Sequence, residues 1–282
     1  MADRIDMNSM APEEYSEIKK QERAEVFDLL SDATQKLLSP GRLKEYADKQ
    51  AELFKHSVSN VLLIMEQDPE ATWVRSYDDW KADGVTVLKG ETGIKTLGSY
   101  RFQKEDGTMG MGSKVVKMFD VKQTVIKDFD IESPGYRKMP DAIMAAYPAA
   151  VEVSELPEGV DALYDPNDKL IRVREGLDPA EKLFAVAREH AVEIMTGNDY
   201  NTRDSVISQS EMAAYILTKH YGFDAPEIDF EKMSKEYPGK EEKEVRGQLG
   251  IIKFSAETID RRVQESLELN RASKKRDDLE AR

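Results

Sequence analysis

Residues 188–192 read Arg-Glu-His-Ala-Val and follow the apolar run Leu183-Phe184-Ala185-Val186-Ala187. A helix that builds a hydrolytic zinc site carries His-Glu-x-x-His. Two imidazoles one turn apart hold the metal, and the Glu between them takes a proton from the bound water. Here Glu189 holds the general-base position, but the two ligand positions are Arg188 and Val192. A guanidinium stays protonated and offers no lone pair, and an isopropyl group has no donor atom. The expectation is an emptied site of Arg188, Glu189, Val192 and, from a second helix, Glu211, with no metal and no cofactor. Arg188 is expected to fill the cavity and pair with Glu189 or Glu211, because a buried guanidinium needs a carboxylate. A different ligand set, His190 with Glu193 and Glu211, is the alternative. It requires the ligand to move from position 188 to 190, a rotation of about 200° on a 3.6-residue helix.

A second group of residues suits a different chemistry. Residues 89–127 hold 8 Lys/Arg against 4 Asp/Glu in a chain whose net charge is −14. Lys89, Lys95, Arg101, Lys104, Lys114, Lys117 and Lys122 alternate imperfectly with apolar residues, so several can share one sheet face. Trp80, Tyr100 and Phe102 are available as stacking platforms beside them. Cations along a groove with interleaved rings suit sequence-tolerant binding of single strands. The same residues also suit a solvated sheet face with Trp80 and Phe102 in the core. Ser57 and Asn60 fall on one helical turn, where they can donate to phosphate or cap a neighbouring backbone segment.

The positioning elements follow from spacing and breakers. Apolar residues at 15, 18, 26, 29, 30, 33 and 37 predict a first helix over 12–38, ended by Ser39-Pro40-Gly41. Helices are predicted over about 42–55 and 58–67, the latter stopped by Asp68-Pro69. Strands are predicted at 72–74, 85–88, 93–102 and 113–121, with one or two helical turns over 77–83 and a hairpin turn over 104–110. Four prolines in 128–160 predict a linker with a short helix near 141–147. Two strands, 161–164 and 170–173, then precede a helix opened by Asp178-Pro179 with Glu181 closing a capping box. A helix over 203–220 and a charged helical tail after Pro238 complete the chain. In that tail Ile251, Ile252, Phe254, Ile259, Val263 and Leu267 are expected to bury one face and residues 271–282 to fray. The predicted class is α+β, with domains at 1–127 and 161–237, a linker at 128–160 and a helical extension at 238–282.

There is no cysteine, and the longest aliphatic run, Val61 to Met65, is far below the roughly 20 residues of a membrane span. No membrane association and a cytoplasmic location are expected.

The middle of the first domain resembles the N-terminal domain of ArdC-type antirestriction proteins. The resemblance rests on Ser57-x-x-Asn60-x-Leu62-Leu63-Ile64 and Pro69-x-Ala71-Thr72-x-Val74. It continues through Trp80-x-x-x-Gly84-x-x-Val87-x-Lys89-Gly90-Glu91-x-Gly93-Ile94 and Val116-x-x-Phe119-Asp120-Val121-x-Gln123-Thr124. The second half resembles the same family's zincin-type peptidase region through Tyr164-Asp165-Pro166, Ile171-x-Val173-x-Glu175-Gly176-Leu177, Arg188-Glu189, Glu211-x-x-Ala214-Tyr215 and Tyr221-Gly222. Together the matches span roughly residues 40–225. This chain departs from the family pattern at His56, where a Tyr is usual, at Val85, where an Arg is frequent, and at both zinc histidines.

The resemblance implies a mobile-element antirestriction protein of plasmid or phage type whose first domain binds single-stranded DNA. The expected contacts are Ser57, Asn60, Arg75, Trp80, Lys89, Lys95, Tyr100, Arg101, Lys114 and Lys117. The peptidase-like half would then be inactive, kept for stability or for a host defence protein as partner. The competing reading is an acidic inhibitor that occupies a defence nuclease without touching DNA. A third is a metallopeptidase with altered ligands.

Overall fold

The computed structural model describes residues 11–39, 41–126, 150–197 and 200–280, and side chains only as far as residue 268. The fold is α+β, and the chain divides into two compact units.

The first unit comprises residues 1–37 and 59–129. Helix α1 (Pro12–Lys36) starts with proline at its first position and buries Val26, Leu30 and Ala33 along one stripe. Helix α3 (Val58–Gln67) is apolar nearly all round, and Val61 to Met65 are buried. The short helix α4 (Tyr77–Ala82) is capped by the Ser76 side chain, which accepts from the Asp79 amide. Three strands, β1 (Val74–Ser76), β2 (Ile94–Gln103) and β3 (Met109–Asp120), form an antiparallel sheet in the order β1-β3-β2. The 85–88 strand expected from sequence reduces to one bridge, Val87 with Thr124. The β2–β3 hairpin is longer than expected because Met109 and Gly110, expected in the turn, and Met111 and Gly112, expected in neither strand, belong to the ladder.

As the middle strand's neighbour at the sheet edge, β2 leaves backbone groups to satisfy. Two amides of α3 do this at the base of the hairpin. Asn60 donates to the Leu97 carbonyl (3.1 Å) and accepts from its N–H (2.9 Å). Gln67, two turns on, does the same for Lys95 at 2.8 and 2.9 Å. Each amide thus stands in for a missing strand partner. Asp120 plays a comparable part at the end of β3, where one oxygen accepts from both the Thr72 and Trp73 amides.

The second unit comprises residues 38–58 and 130–282. Its sheet is β4 (Ala150–Val153), β5 (Ala162–Asp165) and β6 (Leu170–Val173), ordered β4-β6-β5 with β4 parallel to β6. Strand β4 lies in the stretch expected to be linker. The short helix expected at 141–147 falls outside the described residues. Helices α5 (Pro179–Thr196) and α6 (Arg203–His220) pack together, and α8 (Glu242–Glu280) lies against both. The short α7 (Phe230–Ser234) sits between α6 and α8 in sequence.

Helix α2 (Arg42–Glu52) packs with this second unit, not with the N-terminal residues among which the sequence placed it. Its buried face of Leu43, Tyr46, Ala47 and Ala51 lies on α6. The Tyr215 hydroxyl donates to Asp48 at 2.7 Å, and the Phe54 and His220 rings stack at 3.9 Å. In α8, Ile252, Ile259 and Val263 are buried, whereas Ile251 and Phe254 are exposed, and the helix continues to Glu280 rather than fraying at 271. Among the described residues no helix is long and apolar enough to cross a membrane.

Candidate functional sites

Pairing register decides which residues of the hairpin share a face. On one face Phe102 lies opposite Gly110, Tyr100 opposite Gly112, and Gly98 opposite Lys114. On the other, Lys95 lies opposite Lys117, Arg101 opposite Met111, and Gln103 opposite Met109. Every residue from Ser99 to Met109 is exposed.

The glycines matter for what the rings can do. A Cβ on Gly110 would meet Phe102 Cζ at 2.7 Å, and one on Gly112 would meet Tyr100 Cζ at 2.6 Å. Each ring therefore lies down over the glycine across from it, in the arrangement by which aromatics cover strand glycines. The two centroids are 6.0 Å apart, and the residues remain 41% and 42% exposed. One surface of each ring is seated and the other is open to solvent. Lys114 stands on the same face, and Arg101 on the opposite one. Neither makes an ion pair among the described residues.

Several expected contacts are placed differently. Trp80 is fully buried, donates to the Phe119 carbonyl at 2.9 Å and packs edge-on against Trp73, so it has no ring face to offer a base. Arg75 pairs with Asp83 and lies over the Trp80 ring. Asn60 is engaged by the Leu97 backbone, and Ser57, exposed, immediately precedes α3. Lys95 is held by Glu25 at 3.3 Å and lies near Glu22. Glu22 in turn feels Lys19, Lys95 and Lys117, which outweigh its partial burial and hold its carboxyl below the ordinary value. The acidic side of α1 thus neutralises the proximal lysines. Lys89 sits in the Lys89-Gly90 turn, exposed and away from the ladder. The arrangement brings together Tyr100, Phe102 and Lys114 on one face, leaves Arg101 on the other, and disperses the rest.

In the second unit the helix turn expected to be an emptied metal site holds an ion-pair cluster. Asp178 caps α5, accepting from Ala180 and Glu181 amides, while Glu181 accepts from the Asp178 amide. That start sets Glu189 facing inward, with no exposure at all. Its Oε1 accepts from Arg188 Nε (2.9 Å) and Arg203 (2.7 Å), and its Oε2 accepts from the other Arg203 nitrogen and from the Tyr164 amide (2.9 Å). A carboxylate has about four lone-pair sites, and four donors use them. No lone pair is left to take a proton from water. Arg188 also donates to the Ala162 carbonyl at 3.2 Å. Arg203, fourteen residues from Glu189, had no sequence signal beyond a basic residue at the start of α6.

Beside this cluster is a cleft of about 460 Å³ lined by Arg188, Glu211, Ser208, Phe184 and the α7 residues Lys232 and Met233, among others. Burial pushes the Glu211 carboxyl up, with Asp229 adding to it, although Arg188 and Lys232 pull the other way. Among the described residues no three His, Asp or Glu side chains are placed to hold a metal ion. With an Arg at one ligand position, a Val at the other and Glu189 saturated by donors, the residues present do not fit a divalent metal at this helix.

His190 points elsewhere, toward Glu193 (3.6 Å) and Arg262 (3.4 Å). Burial, aided by Arg262 and opposed by Glu193, lowers its pKa to about 4. An unfolded His titrates near 6.5. The unfolded chain therefore takes up a proton first as pH falls, and the stability present above 6.5 is lost between 6.5 and about 4. Urea unfolding across that range should show the loss, and His190→Gln should flatten it.

Residues 20–129 match the N-terminal domain of anti-restriction factor ArdC. That stretch is an ArdC-type N-terminal domain. The matched stretch contains α1 from residue 20 onward, all of α2, α3 and α4, and the whole hairpin. The chain is also similar in structure to the antirestriction ArdC protein from R388 plasmid in its metal-free form, with TM-score 0.53 and 16% identity over 84% of this chain and 98% of that one. The Mn(II)-bound form of that protein gives TM-score 0.54 and 15% identity over 83% and 98%. At such identity the likeness is one of fold. No curated protein sequence matches.

Proposed function

We propose that this chain is an antirestriction protein that binds single-stranded DNA through the distal β2–β3 hairpin. The observation that carries this reading is the pair of rings, Tyr100 and Phe102, seated on glycines with their outer faces open and Lys114 on the same face. Stacking on two adjacent platforms is indifferent to base identity, and a nearby cation fixes the backbone. The antirestriction role is drawn from the names of the matched domain and of the similar structures. In this reading the second unit is an inactive peptidase scaffold, supported by the donors that saturate Glu189.

The test is equilibrium binding of a fluorescent single-stranded oligonucleotide to the full chain and to a Tyr100→Ala/Phe102→Ala variant. Binding by the parent and its loss in the variant support the proposal. Equal binding by both would overturn it.

A second reading has its own support. The cleft beside Arg188 is rimmed by Glu181, Glu211, Glu227 and Asp229 in a chain of net charge −14, which suits a basic protein partner. That reading is preferred if the chain binds no DNA at any salt concentration.

A further inference from the structure

The geometry points to a preference for the junction where a duplex opens into single strands, with the hairpin acting as a wedge between the two strands. This rests on the single-strand reading and names the substrate within it. The argument comes from the second face of the hairpin, which that reading leaves unused. Met109 and Met111 are 63% and 68% exposed there, and Arg101 lies directly across from Met111. Both faces of one two-stranded ribbon therefore combine apolar side chains with an unpaired cation, one face aromatic and the other thioether.

The two faces suit different parts of one target. Flat rings over glycines match the separated bases of a single strand. Methionine side chains are flexible and polarizable and have no hydrogen-bonding demand that a base-pair face would leave unmet. Apolar side chains of this kind are used as wedges that unstack neighbouring base steps. Arg101, beside Met111, is placed to meet the phosphate of the strand that turns away.

Charge limits the target to a short contact. At the base of the same face, Lys95 and Lys117 lie under the field of Glu22, and Lys95 is paired with Glu25. A long duplex laid along this face would meet those carboxylates of α1. A junction touches only the exposed end, about six residues or roughly 20 Å of strand.

The experiment compares three fluorescent probes on the full chain: a single strand, a blunt hairpin duplex, and a fork joining the same duplex to two single-stranded arms. The fork is expected to bind about tenfold tighter than the single strand, with the blunt duplex weakest. Met109→Gln/Met111→Gln should abolish the fork preference and leave single-strand affinity within about twofold. Independently, 2-aminopurine at the first paired position should brighten when the parent protein binds, because its stacking is broken. Equal affinity for fork and single strand, preference retained in the double variant, or no brightening would each overturn the wedge. Absence of single-strand binding would overturn the earlier reading itself.

Discussion

Glu189→Gln is expected to lower the stability of the protein by about 3–5 kcal/mol, the scale for removing one partner of a buried ion pair. The substitution keeps the volume and one acceptor oxygen, but it leaves Arg188 and Arg203 facing an amide where two cations had shared one carboxylate. The Arg188 side chain is only 16% exposed, so water cannot take over the role of the lost anion. Urea unfolding followed by far-ultraviolet circular dichroism measures the effect. Glu211→Gln is the internal control, because Glu211 is half-buried and already biased toward its neutral form by burial. A general base of a working enzyme would behave in the opposite way, losing activity while stability stayed near the parent value. The expected asymmetry between positions 189 and 211 follows from hydrogen bonds alone.

The second large effect concerns the hairpin. Each stacked base is worth about 1–3 kcal/mol by alanine substitution, so Tyr100→Ala/Phe102→Ala should weaken single-strand binding about 30-fold or more. Both rings stand on the exposed part of the ladder and make no buried hydrogen bond, so unfolding free energy should change by only about 1 kcal/mol. Fluorescence anisotropy of a labelled oligonucleotide reads the first quantity and urea unfolding the second. Trp80→Phe separates the ring roles. Trp80 is fully buried and bonded to the Phe119 carbonyl, so its loss falls on stability and not on binding measured per folded molecule.

What the sequence made legible was what local chemistry determines. The Asp178-Pro179-x-Glu181 start of α5 is a capping box in the structure, because its donors and acceptors lie within three residues of one another. The stop after α3 at Asp68-Pro69 has the same local origin. The hairpin was read too short because Gly110 and Gly112 weigh against a strand by propensity. Their places in the ladder are favoured by Phe102 and Tyr100 across the register, a pairing that appears only when the two strands are aligned.

The candidate site was read less completely for a similar reason. Lysine spacing announced a basic face, but the carboxylates that neutralise Lys95 lie seventy residues away on α1. For Asn60 the sequence offered phosphate or a neighbouring backbone segment, and the structure shows the second; the segment was not nameable because the Leu97 backbone belongs to a strand 37 residues later. Arg203 escaped notice since only the packing of α5 on α6 brings it to Glu189. Residue types announced the chemistry, and tertiary pairing selected which residues were left to perform it.

The most direct test of the account is the salt dependence of single-strand affinity. The central claim is that rings supply most of the binding and that a single cation takes part. With Lys114 as the cation on the ring face, log K should fall with log[salt] at a slope of only about −0.7, the value for one phosphate neutralised on a single strand. Lys114→Gln should bring the slope near zero while leaving binding measurable at high salt. Undetectable binding at every salt concentration, or a steep slope that this variant does not change, would contradict the account.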